Sequence, residues 1–265
     1  MGMVWRRLNK RYVGLTFVGP VILVLIQLFQ GLYGRVGGGL DPFFNSPFTL
    51  WLGIDPFGEV SQGYFFILPL FAALPAATLL QRDRQTGFLM QLRTRLPQRQ
   101  ILVGYLGWSA ALGGLAVAGP LLLNLTGYLL MLPSLRPDNL LHSNLGLYSF
   151  NTVAIGFYYA HPLGHALLAI IVAFLWGSLF ALLVTTVGFF TDYRFVAVSV
   201  GMVLQVGLLL VQPVTGQDSS LSPAQFLKEA SAADVTWQVV LMITVAMMGL
   251  VGLLGIVGWH RHVNG

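Results

Sequence analysis

Six long apolar runs, at about 12–32, 62–80, 101–131, 164–190, 195–213 and 236–258, alternate with short polar segments. Most reach the ~20 residues that carry a helix across the hydrocarbon core of a bilayer. They lack the alternation of a barrel strand, and only helices and closed barrels satisfy their backbone groups in lipid. The pattern predicts an all-α polytopic membrane protein of six transmembrane helices. No polar segment exceeds about thirty residues, so 1–265 is expected to form a single transmembrane domain. The third run is too long for one straight crossing and contains Pro120. The piece beyond Pro120 is too short to cross alone. One helix, kinked at Pro120 and running past the outer surface, is therefore expected rather than a hairpin.

Residues 33–60 are Gly-rich, then rich in Pro and aromatics, and predict an ordered outer loop or an interfacial segment in the headgroup layer. Residues 133–161 predict a second outer loop, and Thr191–Arg194 a tight inner turn. In 214–235, an extracytoplasmic segment, Ser222 before Pro223 is a helix start, with the hydroxyl as cap and proline at the first position. This start predicts a short amphipathic outer helix. Gly249, Gly252, Gly255 and Gly258 put small residues along the last helix, for close packing within the chain or against another subunit.

Charge turns this pattern into a topology. The segments 1–11, 81–100, 191–194 and 259–265 hold 11 of the 14 Lys and Arg, against only Asp83 and Asp192. Basic segments stay in the cytoplasm when helices insert, so both termini are expected inside. The net charge of +5 is explained by these loops and carries no nucleic-acid signal. The basic N-terminal segment 1–11 is either a topogenic flank or a short helix lying on the inner surface, with Trp5 in the interface. At 56% apolar and 9% charged, the chain is far from a soluble domain. With no Cys, disulfides and thiolate metal sites are excluded.

The inner loop 81–100 is longer than a return to the bilayer requires. Phe88, Leu89, Leu92 and Leu96 recur at helical spacing opposite Gln91, Arg93 and Arg95, and Pro97 ends the run. Such a short amphipathic helix needs a partner for its apolar face, either the membrane surface or another protein.

The stretch Leu68–Tyr105 resembles the permease subunit of an ABC-2 type transporter. Asp83, Arg84, Gly87, Phe88, Leu89, Arg95 and Arg99 follow that family's order, with Asp83 where Glu is commoner. The likeness extends to Gly119–Leu125, His161–Phe195 and Leu221–Leu227, and covers most of the chain as pattern more than motif. It implies that 82–97 is a coupling helix docking on a separate ATPase subunit through Asp83, Arg84, Gly87, Phe88, Leu89, Leu92 and Arg95. It also implies two ATPase copies that bind ATP and Mg, and a second permease chain, identical or paralogous. Residues 214–235 would supply short re-entrant helices capping the pathway. The chain has no G-x-x-x-x-G-K-[ST], and its only lysines are Lys10 and Lys228, so ATP hydrolysis is expected from a partner.

No span carries a Lys, Arg, Asp or Glu near its centre, which favours a permease powered from outside over an ion-coupled transporter. Asn124, Ser178 and Gln205 are the candidate pathway-lining residues, though each reads more readily as a bond between helices, Ser178 and Gln205 more so than Asn124. His161 and His165 are four apart but lack a third ligand, so packing is expected rather than a metal site. No catalytic residue and no cofactor in this chain is expected. The rivals are an intramembrane serine protease of the rhomboid kind, which Ser178 serves poorly without a G-x-S-G context or a His on a later helix, and a non-transporting membrane anchor. An apolar lining suits export of a lipid-like or hydrophobic peptide substrate across a prokaryotic cell membrane.

Overall fold

The computed structural model describes residues 2–36, 46–55, 58–138, 147–216, 219–230 and 233–263. At the basic N-terminus lie α1 (Gly2–Arg7) and α2 (Lys10–Thr16), followed by α3 (Val18–Val36). The Asn9 side chain caps α2 by accepting from the Arg11 and Tyr12 amides. Next come α4 (Pro47–Leu50), α5 (Glu59–Ala73), α6 (Leu79–Gln85) and α7 (Phe88–Arg93). A 34-residue α8 (Gln98–Met131) is followed by α9 (Ile155–Ala160), α10 (Pro162–Val187), α11 (Arg194–Thr215), α12 (Pro223–Phe226) and α13 (Trp237–Val263). Among the described residues the only extended pairing is an isolated bridge between Ser219 and Asp234.

Among the described residues, five stretches are long and apolar enough to cross a bilayer: Lys10–Tyr33, Gln98–Met131, Pro162–Val187, Arg194–Val214 and Trp237–His260. This is the architecture of a polytopic membrane protein. The expected second span is not among them. Its helix, α5, has 15 residues and ends at Ala73, before a turn through Pro75 that leads into α6. At 1.5 Å per residue α5 spans about 22 Å, short of the ~30 Å hydrocarbon core. The third run, by contrast, is one unbroken helix through Pro120.

The packed centre is α8 against α10. Their backbones approach because small residues face each other: a Cβ on Gly113 would lie 2.3 Å from the Ala181 Cβ and 2.9 Å from the Ala72 carbonyl. A Cβ on Gly177 would meet the Gly113 carbonyl at 2.9 Å. In the same seam the Ser109 hydroxyl lies 2.6 Å from that of Thr185. α5 joins through Tyr64, whose hydroxyl donates to the Val117 carbonyl at 2.6 Å. α11 and α13 sit at the periphery and expose apolar faces, including Leu241, Met242, Val245, Leu253 and Ile256.

At the end away from the basic loops, part of the 33–60 segment is described. It is ordered, but Phe48, Trp51, Leu52 and Ile54 are buried among the helices rather than set in a headgroup layer. Ser46 caps α4 in a reciprocal arrangement with Thr49. Residues 37–45 and 56–57 of that segment lie outside the described residues. α12 starts as expected, with Ser222 accepting from the Ala224 amide and Pro223 first. It has only four residues, and Pro223, Ala224 and Phe226 are buried, so it is a plug in the fold rather than an amphipathic surface helix. In α13, a Cβ on Gly258 would meet Phe189 at 2.8 Å, whereas Gly249 and Gly252 have nothing within 4 Å.

Candidate functional site

The loop between α5 and α8 is built by two reversals. α6 runs to Gln85, and Gly87, at φ 72°, turns the chain into α7. Only glycine holds that left-handed conformation without a steric penalty. α7 is shorter than its periodicity predicts, ending at Arg93, and Pro97 caps the start of α8 instead of closing α7.

Much of the apolar face of α7 is covered within the chain. Leu89 and Leu92 are buried in a cluster with Val4, Leu80, Ile101, Tyr105 and Phe189, drawn from α1, α6, α8 and the end of α10. Leu89 and Leu92, expected to present a docking face, are thus covered within the chain. Asp83 is likewise enclosed: it accepts from Arg7 Nη2 at 2.7 Å and from the Tyr105 hydroxyl at 2.5 Å. The guanidinium of Arg7 also stands 3.6 Å above the centre of the Phe88 ring. Its pKa is raised, chiefly by the hydrogen bond to Asp83. Trp5 stacks on Trp108 at 4.6 Å between centroids, so α1 packs on α8 instead of simply lying on a surface.

Arg84 grips the turn after α10. It donates to the Phe189 carbonyl at 2.7 Å and the Thr191 carbonyl at 3.3 Å, and pairs with Asp192. Gln81 donates to the Thr191 carbonyl at 2.7 Å, and Gln85 to that of Asp192. The tight turn at 191–194 is thus clamped to α6. What α7 shows to solvent is Met90, which is 75% exposed, with Gln91, Thr94 and Arg95 around it. The result is a small polar and apolar rim on a braced base.

The three mid-helix polar residues all bond neighbouring backbone or side chains. Asn124 donates to Gln27 Oε1 at 2.7 Å and accepts from the Leu52 amide at 2.7 Å. Ser178 donates to the Ala110 and Phe174 carbonyls, both at 2.9 Å. Gln205 donates to the Phe65 carbonyl at 3.1 Å, tying α11 to α5. His165 is thirteen residues from Ser178 on the same helix, about 20 Å along the axis, so the two form no catalytic pair. His165 bonds the Val153 carbonyl at 2.8 Å and lies 3.4 Å from Glu229, while His161 precedes α10 at the surface. Among the described residues no three His, Asp or Glu side chains gather as metal ligands would.

The Asp83 bracket and the α8–α10 seam are the features that sequence reasoning missed. The signal for the first was an acid isolated in a basic loop. The signal for the second was Gly113-Gly114 in one run and Gly177-Ser178 in another. The chain matches no protein-family model, no curated protein and no solved structure.

Proposed function

We propose that this chain is the membrane-spanning permease subunit of an ATP-driven ABC transporter, of the ABC-2 type, working with a separate ATPase subunit. The basic end is cytoplasmic, and six crossings are completed by α5, its Pro75 turn and α6 acting as one broken span. Two copies of the ATPase, holding ATP and Mg, bind beneath this chain and a second permease chain, identical or paralogous. The cargo is a hydrophobic, lipid-like or peptide molecule exported across a prokaryotic cell membrane.

One observation carries this reading. α7 is braced from behind by four parts of the chain while its outer rim, Met90, Gln91, Thr94 and Arg95, stands exposed. A coupling element needs this combination. Force delivered to the rim passes through Asp83 to α1 and α8, and through Arg84 to the turn joining α10 to α11. A loop that only joined two spans would gain nothing from such bracing. Asp83, Leu89 and Leu92 then serve as supports, and Arg95 with Met90 and Gln91 meets the partner.

The test is co-purification in mild detergent from the native membrane. An ATP-hydrolysing subunit is expected with the wild-type chain and is expected to be lost with Met90→Asp, which removes an exposed apolar contact without entering the buried cluster. Association unchanged by Met90→Asp and by Arg95→Glu would contradict the docking assignment.

A further inference from the structure

At the basic end, a cavity of about 610 Å³ opens between α2, the turn after α5, α6 and the start of α11. Its walls are apolar, formed by Val13, Leu70, Leu74, Phe195 and Val198. Arg82 and Arg194 line the same cavity, and both are exposed. Neither forms an ion pair among the described residues. The two acids at this end are already engaged, Asp83 with Arg7 and Asp192 with Arg84. Arg194 donates a hydrogen bond to Gln85 at 3.2 Å.

We infer that this cavity binds one anionic phospholipid of the inner leaflet, its phosphate between Arg82 and Arg194 and an acyl chain along α5 and α11. Depth supports this occupant. Arg194 is the first residue of a span and Val198 lies a turn into it, while Leu70 lies about a turn before α5 ends and Arg82 follows in α6, so charge sits at headgroup level and apolar wall at acyl level. Guanidinium forks suit phosphate oxygens. A second copy of the chain would bring the same two cations to this face, pairing like with like. The inference takes from the proposed function only that the basic end faces the cytoplasm; it needs no ATPase.

The test equilibrates the purified chain with mixed micelles of phosphatidylcholine and phosphatidylglycerol and counts retained lipid by native mass spectrometry. One phosphatidylglycerol per chain, retained in preference to phosphatidylcholine, is expected. Arg82→Gln with Arg194→Gln should lower that preference roughly thirtyfold, at about 1 kcal/mol per basic residue. Arg82→Lys with Arg194→Lys should keep most of it. Val198→Trp, which fills the cavity and leaves both charges, should also displace the lipid. Equal retention of the two lipids, or a preference surviving the double Gln variant, would overturn the inference. Displacement by inorganic phosphate alone would make this a phosphate site instead. Disulfide formation between copies carrying Val198→Cys would give the cavity to a second chain.

Discussion

Removing the Asp83 carboxylate would leave the Arg7 guanidinium and the Tyr105 hydroxyl side by side with no acceptor. Hydrogen bonds to a charged group contribute about 1.5–3 kcal/mol each, less where solvent reaches one partner, as it does Arg7. Asp83→Ala should therefore destabilise the chain by roughly 2 kcal/mol in thermal unfolding and free the N-terminal segment for proteolysis. Glu229 makes the opposite case. It is buried beside His165, and desolvation raises its pKa well above 4.5. A carboxyl raised in the folded state stabilises the fold below its unfolded pKa and loses that contribution as pH rises through the folded value. Glu229→Gln should thus be more stable than wild type at alkaline pH, with the gain gone below pH 4.5; a pH series of melting temperatures checks it. At this scale the sequence was partly legible. Asn124 stood out as polar in an apolar run, but its partners did not. Gln27 sits in a different run, and the Leu52 amide belongs to a segment that composition assigned to the surface.

Helices are where the apolar pattern spoke most clearly, and where its silence was instructive. Runs of apolar residues located α3, α8, α10, α11 and α13, since length and hydropathy are all that insertion needs. In the second run they could not show the interruption, because hydropathy continues across Pro75 while the helix does not. Spacing made the four glycines of α13 conspicuous, yet only Gly255 and Gly258 approach a neighbour, and the tight seam between α8 and α10 rests on Gly113 and Gly177, which have no regular repeat. Which glycine faces a neighbour is a tertiary property, and no single run encodes it. The contrast gives a paired prediction. Gly113→Leu should cost about 3 kcal/mol or more by forcing α8 from α10. Gly249→Leu, with nothing within 4 Å, should leave the melting temperature within a degree or so of wild type.

For the molecule as a whole, the basic residues gather at one end of a bundle whose peripheral helices α11 and α13 expose apolar faces. That end carries both a braced α7 and the cavity beside Arg82 and Arg194. The exposure of Gln91 and Arg95 was readable from periodicity. The bracing was not, because it joins residues 76 and 108 positions apart. The central claim is that the rim of α7 meets a separate ATPase on the cytoplasmic side, and cysteine cross-linking tests it most directly, since the chain has no Cys of its own. Gln91→Cys in native membranes, treated with a short bifunctional maleimide, should yield an adduct with an ATP-hydrolysing protein, and Ser219→Cys at the opposite end should not. No adduct from Gln91→Cys, or the same adduct from both positions, would contradict the account.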